Sequence, residues 1–221
     1  MLKNFVKYFQ KIKWDLLARI RPNYFIYSQI KNNDENKYAD SGYEDVQKLI
    51  INDDILKPRM DFVNASVVEI GCGNGRMTQS IAKNFKKVYA VDISSRMIDL
   101  AQQRLADLGN VEFLVTDGGK LPVQDNIADF VFSYIVFQHF PSRVMVEENL
   151  KEIKRILKNN GMAKIQFRGK ISSGGTFRAL KWYYGVFFSE KELSDILEKN
   201  GLKPVKIYKG NEKELWAIFE K

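Results

Sequence analysis

A run of alternating glycines is the part of this sequence whose residue types and spacing point most directly to chemistry. Gly71, Gly73 and Gly75 are separated by single residues, and they follow the short apolar run Ser66–Ile70. Glycine lets a backbone turn tightly and approach a ligand, because no side chain intervenes. The arrangement therefore predicts a ligand-binding loop between a buried strand and the helix that follows it.

An acidic residue at the end of the next predicted strand adds to this pattern. Asp92 ends the run Lys87–Asp92 and stands 21 residues after Gly71. A carboxylate at that place can accept two hydrogen bonds from the hydroxyls of a ribose. A dinucleotide fingerprint would have its third glycine where this chain has Arg76. The alternative is a strand-to-helix turn without a ligand, which would leave the glycines and the acid as a coincidence.

Strands and helices alternate along the chain from about residue 60, and this alternation predicts how the loop is held. The predicted strands cover residues 66–70, 87–92, 111–116, 128–134, 162–168, 202–208 and 215–219. The predicted helices cover residues 75–85, 94–108 (ended by Gly109), 142–157 and 189–200. Such alternation with short connections predicts an α/β fold with a parallel sheet covered by helices on both faces.

The end of the chain carries two further local signals. Ser189 and Glu192 form a capping box that begins the last helix, and Gly201 ends it. Only Lys209–Glu214 separates the last two strands, which is long enough for a hairpin but too short for a crossover. The sheet is therefore expected to contain one antiparallel strand.

Residues 1–58 are predicted to form a helical cap, and residues 59–221 the main domain. Apolar residues recur at helical spacing in the first segment, at Leu2, Phe5, Val6, Phe9, Ile12, Leu16, Leu17 and Ile20. Lysines lie opposite this stripe, and Pro22 ends the helix. One interpretation is a lid or packing helix; the other is a basic helix that contacts an anionic membrane surface or an acidic partner. Residues 31–42 are predicted to be a polar linker before a helix over 43–52.

Composition excludes several classes of protein. The chain has 221 residues, is 45% hydrophobic and 28% charged, and has a net charge of +8. Its single cysteine, Cys72, favours a reducing cytoplasm, and one cysteine with one histidine argues against a metal site. No apolar run is long enough to cross a membrane. Six Lys or Arg and one Asp fall in residues 1–21, so the remainder is nearly balanced and does not favour a nucleic-acid partner.

The chain resembles the class I S-adenosylmethionine-dependent methyltransferases over about residues 62–221. Four segments carry the resemblance in the order and spacing of the family: residues 67–78, 91–98, 113–118 and 129–140. The resemblance implies a Rossmann-like sheet of seven strands, mostly parallel, in the order 3-2-1-4-5-7-6 with strand 7 antiparallel. It implies S-adenosyl-L-methionine as the cofactor.

The resemblance also places the cofactor-binding residues of the family on positions of this chain. These positions are Glu69, Gly71, Gly73, Gly75, Asp92, Ile93, Met97, Asp117, Gly118, Ser133 and Tyr134. The three glycines would line the methionine and ribose parts of the cofactor, and Asp92 would bind the ribose hydroxyls. Glu69 would lie under the loop and orient it.

The remaining positions would contact the two ends of the cofactor. Ile93 and Met97 would pack on the adenine, and Asp117 would accept a hydrogen bond from its amino group. Ser133 and Tyr134 would lie beside the methionine moiety and the methyl group that is transferred. These roles are implied by the resemblance alone.

His139 is the one candidate for a general base. It follows the fourth predicted strand, on the edge where open α/β sheets bind ligands, and an imidazole titrates near neutral pH. A base is needed only when the acceptor must lose a proton. The alternative is a histidine that shapes the loop through hydrogen bonds.

The favoured function is O- or N-methylation of a small molecule or biosynthetic intermediate. The alternatives are an RNA or protein methyltransferase recruited by the basic N-terminal helix, and a cofactor-binding protein of the same fold without turnover. A dinucleotide oxidoreductase is a further alternative. The sequence lacks the Asn/Asp-Pro-Pro-Tyr/Phe run of nucleobase amino-group enzymes after the fourth strand, where it has Ser133-Tyr134-Ile135-Val136.

Overall fold

The computed structural model describes residues 2–27, 34–170 and 185–221. Its contacts divide the chain into two units, Met1–Gly118 and Gly119–Lys221. Strands and helices alternate in both, which confirms the predicted α/β class with a mostly parallel sheet. No helix in the described part of the chain is both long enough and apolar enough to cross a membrane.

Three parallel strands form the sheet of the first unit. They are β1 (Ser66–Ile70), β2 (Lys87–Asp92) and β3 (Val111–Val115), in the order β3-β2-β1. Ile70 is level with Val91, and Asp92 is level with Val115. All three strands therefore end at the same edge, as the sequence predicted, and the loops that follow them share that edge.

The helices of the first unit differ from the prediction at their ends. They are α1 (Leu2–Ile20), α2 (Pro22–Ile26), α3 (Glu35–Val46, continued by a π-helical turn at Gln47–Ile51), α4 (Thr78–Asn84) and α5 (Ser95–Arg104), with a 3-10 turn at Phe62–Asn64. The helix expected from Gly75 begins only at Thr78, because Gly75 has a φ of 86° that no right-handed helix contains. The next helix ends at Arg104 rather than Leu108, so Gly109 is not its cap.

The predicted linker was wrong over residues 35–42, which belong to α3; residues 28–33 lie outside the described part of the chain. Asp34 begins this helix by accepting a hydrogen bond from the amide of Lys37. Tyr38, Gly42 and Val46, at four-residue spacing, are all buried. The sequence contains both the Asp34 cap and the four-residue spacing. The many polar residues between the buried positions hid the helical pattern.

The second unit contains the antiparallel strand. Its strands are β4 (Ala128–Ser133), β5 (Leu157–Gly169), β6 (Phe187–Phe188), β7 (Lys203–Lys209) and β8 (Glu214–Glu220). They are ordered β4-β5-β8-β7, with β8 antiparallel to both neighbours, which confirms the predicted hairpin. The short β6 was not predicted and pairs with the end of β5.

Two helices of the second unit begin as the sequence predicted. Ser142 caps α6 (Arg143–Ile156), and a capping box of Ser189 and Glu192 begins α7 (Glu190–Lys199). A 3-10 turn, Phe137–His139, lies between β4 and α6. This turn holds the histidine that the sequence marked as a candidate base.

Candidate cofactor and acceptor site

The glycine loop follows β1 and has the backbone geometry that its sequence requires. Gly71, Gly73 and Gly75 all have positive φ, at 79°, 55° and 86°. L-residues with a side chain rarely adopt this region, so each glycine is needed where it stands. The amides of Gly71 and Cys72 both donate to the carbonyl of Val91, which attaches the loop to the end of β2.

Asp92 lies at the centre of this arrangement. Its Oδ2 accepts the amide of Gly73 at 2.9 Å, and its Oδ1 accepts the amide of Ser94 at 2.8 Å. The side chain is buried, and burial raises the pKa of this carboxyl to about 6, against the lowering effect of these amides. A carboxylate has about four acceptor positions, so the two amides leave room for both hydroxyls of a ribose. The residues present therefore fit a nucleoside.

Glu69 lies one strand away, in β1, and is also buried. The hydroxyl of Thr78, the first residue of α4, donates to its Oε2 at 2.6 Å. Burial raises the pKa of Glu69 to about 7, and the charge of Asp92 raises it further. This contact ties the strand before the loop to the helix after it.

We expect Glu69→Gln to be more stable than the parent chain at pH 8, in the absence of ligand. The folded chain binds protons at Glu69 and Asp92 that the unfolded chain has already lost between about pH 4 and pH 7. Folding stability therefore falls as pH rises through this window, and the cost is fully present above it. Glutamine can still accept from Thr78, so about 1–3 kcal/mol should be gained at pH 8 and almost nothing at pH 4. Urea unfolding at the two pH values measures this.

The exposed Glu212→Gln provides the matched control, because it removes the same charge without relieving burial. It should change stability by no more than about 0.5 kcal/mol at either pH. A gain for Glu69→Gln that is equal at both pH values would contradict the burial of a charge as its cause.

The N-terminal segment is bonded directly to the glycine loop. Asn74, between the second and third glycines, accepts from the Tyr38 hydroxyl at 2.7 Å and donates to the Asn23 side chain at 2.6 Å. Ile26 packs against Gly73 so closely that a Cβ there would lie 2.6 Å from its Cδ1. Two helices of the N-terminal segment, α2 and α3, therefore cover the glycine loop.

Arg76 makes a second connection between the loop and the N-terminal segment. Its guanidinium is buried, pairs with the Asp45 carboxylate at 2.7 Å and lies over the ring of Tyr27 at 4.6 Å. Gly42 lets α3 come close, because a Cβ at that position would lie 2.1 Å from the carbonyl oxygen of Arg76. The residue that breaks the dinucleotide spacing thus joins the loop to the N-terminal segment.

The positions expected at the adenine end follow β2 and β3. Met97 is buried on α5, Ile93 is half-buried, and Gly118 has a positive φ. Asp117 is exposed and, with Thr116, lines a cavity whose other wall includes two lysines and Tyr8 of α1. The structure therefore brings the first helix against this part of the expected site.

Ser133 is the last residue of β4 in the second unit, and Tyr134 follows it directly. Ser133 is buried, and the half-buried ring of Tyr134 stacks on Trp216 with centroids 5.4 Å apart. Phe132 stacks on the same indole at 6.4 Å. Tyr134 and Phe132 thus share one face of the strand, while Ser133 lies between them in sequence.

His139 is buried in the turn after β4 and is linked to a chain of amide side chains. Its Nε2 lies 3.3 Å from the Gln138 Nε2, and Gln138 Oε1 lies 3.4 Å from the Gln166 Nε2. Gln166 also accepts the amide of Ile135 at 3.1 Å. Ile135 has a φ of 59°, a strained conformation for a β-branched residue. Gln166 therefore bonds both to the backbone of the strained Ile135 and to the side chain of Gln138, which precedes His139.

Sequence reasoning missed the polar partners of the loop. Tyr38 and Asp45 lie about thirty residues before the glycines, and Gln166 lies about thirty residues after the turn that it holds. Nothing local in a sequence pairs residues at such distances. The Asp34 cap and the four-residue spacing of Tyr38, Gly42 and Val46 were the signals that could have placed α3.

Residues 68–165 match a family model described as a methyltransferase domain. Among curated proteins, malonyl-[acyl-carrier protein] O-methyltransferase of Priestia megaterium is 31% identical over 188 residues, which cover 76% of this chain and 65% of that protein. Among solved structures, a SAM-dependent methyltransferase from Aquifex aeolicus matches 86% of this chain and 99% of its own, with a TM-score of 0.61 and 22% identity.

A further structure shows the same fold with the cofactor present. Phosphoethanolamine N-methyltransferase 2 of Haemonchus contortus in complex with S-adenosyl-L-methionine has a TM-score of 0.60 at 17% identity, over 73% of this chain and 49% of its own. The chain spans 38% to 65% of the length of the first three curated relatives that it matches.

The fold, the glycine loop and the buried acid after β2 are features with which α/β proteins bind a nucleoside-containing cofactor at the carboxyl edge of the sheet. Residues 68–165 match the methyltransferase domain family, and the chain has the fold of solved S-adenosylmethionine-dependent methyltransferases.

Proposed function

We propose that this protein transfers a methyl group from S-adenosyl-L-methionine to an oxygen or nitrogen atom of a small molecule. The observation that carries the proposal is Asp92, a buried carboxylate that holds the amide of Gly73 and keeps further acceptor positions for a ribose. The cofactor, when bound, supplies an electrophilic sulfonium methyl. The two relatives named above are described as O- and N-methyltransferases, which supports this range of acceptor atoms.

The first unit would bind the cofactor. Gly71, Gly73 and Gly75 would line its methionine and ribose parts, and Asp92 would accept from the hydroxyls. Glu69 would keep the loop in register through Thr78. We also assign residues 1–58 to a cap, because Tyr38 and Asp45 bond to the loop residues Asn74 and Arg76.

Ile93, Met97, Asp117 and Gly118 would complete the adenine end of the cofactor site. The buried Met97 offers an apolar surface to an aromatic base, and the carboxylate of Asp117 can accept a hydrogen bond from an exocyclic amino group. In the second unit, Ser133 and Tyr134 would line the part of the site where the methyl group is transferred.

His139 would accept a proton when the acceptor must lose one. Its ring is held by Gln138, which in turn lies against Gln166, so its orientation is fixed before an acceptor binds.

Calorimetry on the purified chain, followed by an assay for S-adenosylhomocysteine, tests the proposal. We expect micromolar affinity for S-adenosylmethionine and its demethylated product, no binding of NAD, and product formation with at least one small hydroxyl or amine acceptor. His139→Ala should slow turnover without weakening cofactor binding. Binding of neither sulfonium nucleoside nor product would overturn the proposal, and binding without transfer would indicate a cofactor-binding protein that lacks turnover.

Among the alternative functions, a dinucleotide oxidoreductase has the least support. The third glycine of its fingerprint would fall at position 76, where Arg76 is buried in an ion pair with Asp45. Binding of NAD in preference to S-adenosylmethionine would reverse this order.

A further inference from the structure

Helix α1 exposes a stripe of apolar side chains that no described element covers. The stripe consists of four side chains that are about half exposed: Phe9 (60%), Ile12 (45%), Leu16 (55%) and Ile20 (60%). Their spacing of three or four residues places them on one face of the helix, over about 16 Å of its length. Monomeric proteins rarely leave such a contiguous stripe in water, and those that do commonly use it for binding.

The opposite face of α1 is the one attached to the protein. Ala18 is buried, and the Asp15 carboxylate accepts from the Ser94 hydroxyl at 2.6 Å and from the amide of Arg96 at 3.3 Å. Lys7 and Lys11 lie on this side too, lining a cavity with Asp117. The helix is therefore oriented with its apolar stripe outward, the reverse of what a simple packing helix would show.

The charge around the stripe has one sign. Arg19 and Arg21 are exposed beside its C-terminal end. Asp15 is the only acid between residues 2 and 27, and it is engaged with α5. Tyr8, exposed on α1, and Tyr24, exposed on α2, add amphipathic rings at the edges of the stripe. Apolar residues flanked by arginines and tyrosines are the composition of helices that lie in the interface of an anionic bilayer.

We propose that the exposed face of α1 docks this protein on an anionic lipid surface. A second copy of the chain fits this face poorly. A parallel pair of α1 helices would place Arg19 beside Arg19, and no pair would offer an acid from α1 to neutralise Arg19 and Arg21, because Asp15 is bonded to Ser94. An anionic membrane supplies both the apolar volume and the opposite charge. This proposal is independent of the methyl acceptor.

Co-flotation of the full chain with vesicles tests the proposal. We expect binding to vesicles of equal parts phosphatidylcholine and phosphatidylglycerol, little binding to phosphatidylcholine alone, and weaker binding as salt is raised. Phe9→Ser/Leu16→Ser should lower the partition coefficient at least about tenfold because it removes apolar anchors. Arg19→Glu/Arg21→Glu should lower it about as much by removing the electrostatic attraction.

Matched controls change the same residue types elsewhere. Val63→Ser/Val144→Ser alters two exposed apolar residues on other elements, and Lys191→Glu/Lys203→Glu alters two exposed cations. Both should bind vesicles within about twofold of the parent chain. Circular dichroism melting and calorimetry with S-adenosylhomocysteine on each sample show that it is folded, and they separate a failure here from a failure of the proposed function.

Three results would overturn the proposal. One is the absence of binding to the anionic vesicles by the folded parent chain. Another is equal binding by the Phe9→Ser/Leu16→Ser variant. The third is a concentration-dependent dimer in sedimentation velocity that the same variant dissociates, because that result would assign the stripe to self-association.

Discussion

Asp92→Ala is expected to reduce the affinity for S-adenosylmethionine at least about 100-fold. If Asp92 binds the ribose as we propose, the substitution removes an acceptor of two charge-assisted hydrogen bonds, each of which is worth roughly 1.5–3 kcal/mol. It also removes the partner of the Gly73 amide, which the carboxylate holds at 2.9 Å, so the loop loses one of its attachments to β2. Calorimetry with the cofactor and its demethylated product measures the loss.

Two further variants make this result specific. Asp92→Asn keeps the shape of the side chain, but its NH2 group cannot accept a hydrogen bond. We therefore expect an intermediate loss of cofactor affinity, of about tenfold or more. Asp99→Asn removes an exposed acid of α5 and should leave the affinity unchanged. Affinity within about threefold of the parent value for Asp92→Ala would show that the ribose is bound elsewhere.

The pH dependence of cofactor binding provides an independent measure of the same group. Burial raises the pKa of Asp92 to about 6, and only the ionised carboxylate can accept from both hydroxyls and both amides. Affinity of the parent chain should therefore fall as pH decreases through 6, and the fall should be smaller in Asp92→Asn.

Gly42→Ala is expected to destabilise the protein by about 3 kcal/mol, a large effect for one methyl group. The added Cβ would lie 2.1 Å from the Arg76 carbonyl oxygen, and a backbone group cannot rotate away as a side chain can. Helix α3 must then move outward, which strains the Arg76–Asp45 ion pair and the Tyr38–Asn74 hydrogen bond. The thermal midpoint should fall by about 6–12 °C.

Gly109→Ala is the control for this substitution. A Cβ at Gly109 meets no heavy atom within 4 Å, so stability should change by no more than about 0.5 kcal/mol. Cofactor affinity should fall in Gly42→Ala and stay constant in Gly109→Ala, because only the first displaces residues bonded to the loop. Equal stability of the two variants would contradict the close approach of α3 to the loop.

The strands and the glycine loop could be predicted because their signals are local. The bounds of β1 and β2 are those that the apolar runs predicted. The end of α5 was placed four residues too far, because Gly109 follows a turn rather than the helix itself. A glycine marks the end of a helix only when its backbone takes the left-handed conformation, as Gly201 does at 68°.

The contacts that surround the loop could not be predicted, because they join residues far apart in sequence. Arg76 was read as a departure from a glycine pattern, while its partners Asp45 and Tyr27 carry no motif of their own. Likewise, periodicity showed that α1 is amphipathic but not which face meets the protein. That choice depends on Asp15 reaching Ser94, a tertiary contact between helices.

The attachment of Asn74 and Arg76 to the N-terminal segment restricts how this protein can be recombined. Asn74 and Arg76 alternate with the glycines, so one short stretch of chain both shapes the nucleoside pocket and anchors the first sixty residues. A chimera that takes its leading segment from a homologue would inherit mismatched partners unless these two positions were exchanged with it. The N-terminal segment and the loop must therefore be exchanged together, although Arg76 and Asp45 lie 31 positions apart and Asn74 and Asn23 lie 51 positions apart.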